Sequence, residues 1–327
     1  MIKYKKYMLL WLIAGILLLT ASIFYMRSSS QNNRRYSIIY IPKTIDETND
    51  FWTQLIEGVQ MAASENKMDV KVVAPESEED YERQIELIEW AIGQKPDAIL
   101  LSPASYTETT KAAKDVKAAG IPLILVDSSV NEDIADAMIA TDNVRLGEVA
   151  GEFMKQFVKK DSQIAIVGHV KDSSTAIERE KGVRNGLGQE EARIVDVVFC
   201  DSSYDKAYQL IDSLLEEYPD IDLVAGLNEY SAVGAARAIR DKNLEGKIRV
   251  VGIDSSLEEI KMLESGIFEG IVIQNPFKMG YMGVEVAARI LNEEKALKSM
   301  DSGCELITRD NLYTEENQKL LFPFKEE

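Results

Sequence analysis

The sequence predicts an α/β fold of two doubly wound lobes, each built on a parallel sheet, preceded by one N-terminal transmembrane helix. Three observations carry this. Short apolar runs alternate with amphipathic segments along the body of the chain, the alternation restarts about halfway, and a long uncharged run stands ahead of it all. Runs of four or five residues rich in Ile, Val and Leu read as strands buried on both faces. Strand alternating with helix predicts parallel layers flanked by helices.

The N-terminal elements come first. Lys3, Lys5 and Lys6 precede an uncharged run of 19 residues from Met8 to Met26, the length of a membrane-spanning helix. Basic residues before the run keep residues 1–7 in the cytoplasm and place everything after Arg27 outside. A cleavable signal peptide is the competing reading. The run is longer than an ordinary signal core, and only Leu19-Thr20-Ala21 offers a weak cleavage site, so an uncleaved anchor over residues 8–26 is preferred. No cysteine follows closely to carry a lipid, and residues 27–35 read as a polar linker.

In the first half, Ser37–Ile41, Val70–Val73, Ala98–Leu101 and Leu123–Val126 read as strands. Between them Phe51–Asn66, Tyr81–Ile92 and Thr107–Ala119 place apolar residues at helical spacing: Leu55, Ile56, Val59 and Ala63 in the first, Ile85, Ile88 and Ile92 in the second. In the second half, strands are expected at Ile164–Val167, Ile194–Phe199, Leu223–Ala225, Val250–Ile253 and Gly270–Ile273. Helices are expected near Thr175–Leu187, Ala207–Glu217, Ser231–Asp241 and Leu257–Ser265. The two halves are alike in pattern, without a tandem sequence repeat.

A chain of 327 residues is long enough for two such lobes. Its net charge of −18 argues against nucleic acid as a partner, since such binding rests on Lys and Arg neutralising phosphates. Two cysteines, Cys200 and Cys304, do not make a disulfide scaffold, and one histidine, His169, does not make a zinc site, so neither metal nor cofactor is expected.

In open α/β sheets ligands bind beyond the carboxyl ends of the strands. The residues there are Asn49, Asp50, Phe51 and Trp52 after the first strand, Asp127 and Ser128 after Leu123–Val126, Asn228 after Leu223–Ala225, Asp254 after Val250–Ile253, and Gln274 and Asn275 after Gly270–Ile273. Amides and carboxylates suit vicinal hydroxyls, and aromatic rings suit the apolar faces of a sugar. The same residue types also serve as turn and helix-capping residues, and either role fits any one of them.

From Tyr36 to about Leu320 the chain resembles the periplasmic sugar-binding proteins of the ribose/galactose type, which share their fold with the ligand-binding part of Lac-repressor-like regulators. The segments that carry the resemblance are Asn49-Asp50-Phe51-Trp52, Gly120-Ile121-Pro122 leading to Val126-Asp127, Ala140-Thr141-Asp142-Asn143 and Glu178-Arg179-Glu180-Lys181-Gly182. Further along come Leu227-Asn228-Glu229, Val251-Gly252-Ile253-Asp254, Gln274-Asn275-Pro276, Asp301-Ser302-Gly303 and Thr308-Arg309-Asp310-Asn311. Their order and spacing are specific together, though each is weak alone.

The resemblance implies a periplasmic-binding-protein-like fold with three hinge crossovers, at Thr141-Asp142, near Asn275 and near Leu306. The N-terminal lobe would hold residues 36–141 and 275–305, including a helix from Phe277 to Leu291, and the C-terminal lobe residues 142–274 and 306–327. It implies that Phe51 and Trp52 sandwich a sugar ring and that Tyr204 forms a further aromatic wall. It implies that Asn49, Asp127, Arg179, Asn228, Asp254 and Gln274 hydrogen-bond the ring and its hydroxyls. Where ribose-type members carry an arginine after the first carboxylate, this chain has Ser128, which leaves the sugar unassigned. The implied partners are a small neutral sugar and, in the same membrane, an ABC permease to which it is delivered, with a sensor kinase or chemoreceptor as the alternative that the missing lipid-acceptor cysteine raises. A monomer is expected.

An enzyme would need a nucleophile with a base, paired carboxylates or a metal. No Gly-x-Ser-x-Gly elbow, phosphate loop or dinucleotide fingerprint is present. His169 follows Ile164–Val167 and could face the cleft. Asp127 and Asp254 could face each other as a glycosidase pair would, and the resemblance reads them instead as hydroxyl acceptors. A sugar-responsive repressor would need a helix-turn-helix head where this chain carries its apolar run.

Overall fold

The computed structural model describes residues 35–322. Twelve strands run through them: β1 (Ser37–Ile41), β2 (Asp69–Val72), β3 (Ala98–Leu101), β4 (Leu123–Val126), β5 (Ala137–Ala140), β6 (Gln163–Gly168), β7 (Ile194–Phe199), β8 (Ile221–Gly226), β9 (Arg249–Ile253), β10 (Phe268–Gln274), β11 (Ser299–Asp301) and β12 (Cys304–Ile307). Ten α-helices accompany them: α1 (Asp50–Glu65), α2 (Tyr81–Gln94), α3 (Thr109–Ala118), α4 (Asn143–Met154), α5 (Ser174–Leu187), α6 (Tyr204–Glu217), α7 (Glu229–Asp241), α8 (Leu257–Ser265), α9 (Pro276–Leu291) and α10 (Glu315–Leu321). The strands form two six-stranded sheets, ordered β11-β5-β4-β3-β1-β2 and β12-β10-β9-β8-β6-β7. Every pairing is parallel except β10 with β12. The result is two parallel α/β lobes.

Both faces of each sheet are covered, which is why the strands read as unbroken apolar runs rather than alternating ones. In β3, Ile99 and Leu101 pack with Ile88 of α2 and Val116 of α3. Leu100 points the other way, toward Gly283 of α9. In β6, Ala165 and Val167 face Ala235 of α7, while Ile164 and Ile166 face Leu146, Ala150 and Val183 of α4 and α5.

One helix pair in each lobe packs backbone to backbone. A Cβ on Gly58 of α1 would lie 2.1 Å from Phe277 O, and one on Gly280 of α9 would lie 2.1 Å from Leu55 O. Between α4 and α5 the same closeness recurs at Gly147, 2.3 Å from Arg179 O, and at Gly182, 2.2 Å from Val144 O. Helix α9 therefore belongs with the first lobe although it follows β10 of the second sheet.

The chain passes between the sheets three times. After β5 it runs through Thr141 and Asp142, the N-cap of α4, whose Oδ1 accepts from Arg145 N at 2.9 Å. After β10 it runs through Asn275, the N-cap of α9, with Pro276 at the first helical position. The third passage differs from the expectation at Leu306. Strand β11 is in the first sheet and β12 in the second, so the chain crosses at Ser302-Gly303, and Leu306 sits inside β12 opposite Val272. Gly303 takes φ +83° there, a conformation open to glycine without strain. Thr141 and Ser302 share a hydroxyl–hydroxyl bond of 2.8 Å, and Asp301 Oδ1 accepts from Asp142 N at 3.1 Å, so the first and third passages are tied side by side.

Among the described residues no helix is long and apolar enough to cross a membrane. The expected anchor, Met8–Met26, lies outside them.

Candidate functional site

The pocket between the lobes begins with two strand ends that correspond to each other. Asp127 follows β4 and Asp254 follows β9, the fourth strand of each half in chain order. Each backbone N–H donates to the neighbouring strand, Asp127 N to Ile139 O at 2.9 Å and Asp254 N to Val272 O at 3.0 Å. Each residue takes a positive φ, +69° and +86°. This left-handed turn at a non-glycine residue is uncommon. Here it occurs at the same place in both lobes, and both side chains line one pocket.

That pocket holds about 280 Å³ of empty space and is lined by Lys43, Asn49, Phe51, Trp52, Glu78, Asp127, His169, Thr175, Arg179, Asn228, Tyr230, Asp254 and Gln274. Of the ten ligand residues expected from the sequence, eight are brought together here: Asn49, Phe51, Trp52, Asp127, Arg179, Asn228, Asp254 and Gln274.

Ser128 and Tyr204 are not. Ser128 is buried, and its hydroxyl donates to Pro103 O at 3.0 Å, so the side chain serves its own lobe. Tyr204 starts α6 outside the pocket, where its hydroxyl donates to Glu229 Oε1 at 2.6 Å. Its ring packs on Tyr230, 4.8 Å between centroids, and Tyr230 is the ring that reaches the pocket.

The aromatic side is held rigidly. Phe51 and Trp52 meet edge to face, 5.0 Å between centroids. Trp52 Nε1 donates to Glu78 Oε1 at 2.6 Å, and Ser202 Oγ of the second lobe donates to Glu78 Oε2 at 2.7 Å. Burial raises the Glu78 pKa, against the pull of Lys43, Ser202 and Trp52.

The polar side consists of paired groups. Lys43 Nζ lies 2.9 Å from Asp127 Oδ2, and both side chains are 3% exposed. The same ammonium reaches across to the second lobe, donating to Ser173 Oγ at 3.2 Å and Thr175 Oγ1 at 3.4 Å. Arg179 donates from Nε to Asn143 Oδ1 and from its guanidinium to Leu227 O, both at 2.8 Å, and stands 3.9 Å from Asp254 Oδ2. Asp254 accepts from Gln274 Nε2 at 2.6 Å and from Glu229 N at 3.1 Å. His169 bonds Thr175 Oγ1 through Nε2 at 2.8 Å. Burial first, then Arg179 and Lys43, hold the His169 pKa well below the ordinary imidazole range.

Three buried polar atoms in the pocket accept or donate no hydrogen bond, Asp127 Oδ2, Gln274 Oε1 and His169 Nδ1, and of these only Asp127 Oδ2 has an ion-pair partner, Lys43. Buried polar groups are normally hydrogen-bonded, and leaving one unpaired costs about 1–3 kcal/mol. These atoms are where a ligand bearing hydroxyls would be recognised. Among the described residues no cluster of His, Cys, Asp and Glu could hold a metal.

Two of the pocket residues also cap helices. Asn49 Oδ1 accepts from Trp52 N at 3.1 Å and Asn228 Oδ1 from Ser231 N at 3.0 Å, capping α1 and α7. Asp254 also serves α7, accepting from the N–H of its first residue, Glu229.

Lys43, Glu78, Thr175 and Tyr230 were not expected. Lys43 lies two residues beyond β1, and reading every strand end alike would have singled it out. Glu78 and Thr175 stand in a loop and a helix start with no local signal. His169, weighed at the end of its strand, is buried and lines the pocket.

Both rims of the cleft are bonded across. On one, Asp172 of the second lobe accepts from the Ser105 hydroxyl, from Thr107 Oγ1 at 2.7 Å and from Thr107 N at 3.2 Å, and its carbonyl accepts from Tyr106 N at 2.6 Å. On the other, Asp50 N donates to Glu229 Oε2 at 3.2 Å, Leu257 N donates to Asp50 Oδ2 at 3.1 Å, and Tyr230 OH donates to Asp46 Oδ2 at 2.7 Å. The lobes are closed.

Comparison with known proteins gives the same picture. The ribose import binding protein RbsB of Bacillus subtilis is 28% identical over 283 residues, covering 86% of this chain and 90% of that protein. A sugar transporter structure from Clostridium phytofermentans is 49% identical, with a TM-score of 0.81 over 85% of this chain and 100% of that one. A solute-binding protein of an ABC transporter from Agrobacterium vitis, solved with D-fucose bound, is 28% identical, with a TM-score of 0.84 over 87% of this chain and 99% of that one. The periplasmic binding protein domain matches residues 38–295, from the first strand of one lobe through the last crossing helix, and the chain belongs to that family.

Proposed function

We propose that this chain is an extracytoplasmic binding protein that closes its two lobes on a neutral monosaccharide and delivers it to an ABC transporter. The observation that carries the reading is the pairwise neutralisation of the pocket. Lys43 faces Asp127 and Arg179 faces Asp254, so neither cation is left over for a phosphate or carboxylate ligand. The groups that remain are an amide acceptor, an imidazole nitrogen and aromatic faces, which suit hydroxyls on a ring. RbsB, named for ribose import, and the D-fucose-bound relative support the same class of cargo. The reading involves no reaction: Asp127 is ion-paired with Lys43, and Asp254 accepts from Gln274 Nε2 and Glu229 N.

A second reading is sugar sensing, in which the closed form regulates a membrane histidine kinase or chemoreceptor. It rests on the sequence ahead of the lobes, where an apolar run follows three lysines and no cysteine follows the run closely. Under either reading the run over residues 8–26 anchors the chain in the membrane with the lobes outside. Sugar-dependent co-purification with a permease or with a kinase separates the two.

The test of ligand class is thermal melting of the full chain against neutral pentoses and hexoses, their phosphates and amino acids. One neutral monosaccharide should raise the melting temperature, as any ligand of the native state does. Trp52→Ala and Asp254→Ala should each weaken binding by about tenfold or more, equivalent to ~1.4 kcal/mol. A shift with phosphates or amino acids only, or with nothing, sinks the sugar reading.

A further inference from the structure

His169 is the single histidine of the chain, and it stands at the open end of a hydrogen-bonded row that crosses the cleft. The row runs from Asp127 through Lys43 to Ser173 and Thr175, and from Thr175 to His169 Nε2. Every side chain in it is at least 95% buried, so the hydrogens must be placed among the atoms present.

Lysine ammonium only donates, so Ser173 and Thr175 each accept a hydrogen from Lys43. Each has one hydroxyl hydrogen to give, and Ser173 Oγ and Thr175 Oγ1 are 2.8 Å apart. If Ser173 donates to Thr175 and Thr175 donates to His169 Nε2, every hydroxyl hydrogen has an acceptor. The imidazole then carries its own hydrogen on Nδ1. If the row runs the other way, His169 Nε2–H donates to Thr175, Thr175 donates to Ser173, and the Ser173 hydrogen is left buried without an acceptor in the row. Such an orphan costs about 1–3 kcal/mol, so the first arrangement is favoured.

We infer that Lys43 fixes His169 as the Nδ1–H tautomer and that this N–H donates to an oxygen of the bound ligand, making the pair a specificity determinant of the pocket. The assignment rests on the hydrogen-bond row and on the unpartnered, buried Nδ1. It deepens the sugar-binding reading and rests on it for the identity of the ligand. A hydroxyl or ring oxygen satisfies the N–H. A ligand with a methylene there leaves it unpaired, and sites built around a polar contact reject such analogues strongly. The role of Lys43 requires closure, because Lys43 belongs to one lobe and Ser173, Thr175 and His169 to the other.

The test uses the full chain labelled with 15N-histidine, whose two ring nitrogens give one unambiguous set of signals. With the monosaccharide found by melting present at saturation, the spectrum should show the Nδ1–H tautomer, and Lys43→Met should abolish that preference. His169→Gln, which can reach Thr175 but not the ligand, should lose about tenfold or more in affinity. His169→Asn, whose amide nitrogen stands where Nδ1 stood, should retain most of it. Melting of each unliganded variant guards against misfolding. An Nε2–H tautomer in the bound state, or equal affinity in His169→Gln and wild type, overturns the inference. If no monosaccharide binds, the sugar reading falls by itself. The unliganded spectrum then decides the tautomer, with Nδ1–H supporting the role of Lys43 and Nε2–H ending it.

Discussion

Glu229 shows how one side chain can serve the cleft at a cost to the lobe that carries it. It is 2% exposed, accepts from Tyr204 OH and from Asp50 N of the other lobe, and stands near Asp254 and Glu259. Burial pushes its pKa up to about 8, the Tyr204 bond pulling down and Asp254 adding to the rise. Burial, with Glu229 and Asp254, also holds Glu259 well above the carboxylate range. A carboxyl whose folded pKa is raised contributes stability that is full below its unfolded value and lost as pH rises through the folded one. For Glu229 that window runs from about pH 4.5 to about pH 8. Melting of the wild type should therefore fall over that range more steeply than melting of Glu229→Gln. Parallel curves would show that Glu229 is ionised throughout.

At the scale of elements, the lobes depend on helix pairs that touch through glycine. Helix α1 carries Asn49, Phe51 and Trp52 to the pocket at its start and meets α9 at Gly58. Helix α5 carries Arg179 and meets α4 at Gly147 and Gly182. A methyl at Gly58 would meet a backbone carbonyl at 2.1 Å, where no side chain can rotate away. Gly58→Ala should destabilise the chain by about 1–3 kcal/mol, the usual cost of overpacking. Denaturant unfolding measures it, and a stability equal to wild type would mean that the helices separate freely. Gly93 of α2 makes a control, since a Cβ there meets nothing within 4 Å.

At the scale of the whole molecule, closure draws on bonds that no ligand touches. The Asp172 rim and the Asp50–Glu229–Leu257 rim join the lobes on either side of the pocket. A ligand that binds the closed form shares it with these bonds, and apparent affinity scales with the closed fraction. Asp172→Ala removes three acceptor bonds from one rim while leaving the pocket intact. It should weaken sugar binding by about five- to tenfold, the value of one or two net hydrogen bonds, with little change in unliganded melting. Wild-type affinity, measured by titration calorimetry, would show that the rims add nothing to closure.

Much of this molecule is legible before any coordinates. Strands β1, β3, β4 and β7 and helix α8 fall on the expected residues, because strands buried on both faces and amphipathic helices write their burial locally into the chain. Strand β5 and the short edge strands β11 and β12 were not recognised as strands. Ser299–Asp301 is half exposed and β12 pairs with the sheet on one side only, so neither carries a continuous apolar run. Helix α4 was missed because small residues, Gly147, Ala150 and Gly151, make its buried face. In the pocket, residues at strand ends could be named from the pattern, since a strand's direction says where its end must face. What lies opposite them could not. Lys43 meets Asp127 and Ser173 across separations of 84 and 130 residues, and Glu78 meets Ser202 across 124. Local periodicity decides which segments are strand, helix and core, because burial repeats every two or three to four residues. Which charges neutralise each other is decided only when segments of distant sequence meet within a folded lobe, because that energy depends on distance in space and on burial away from water.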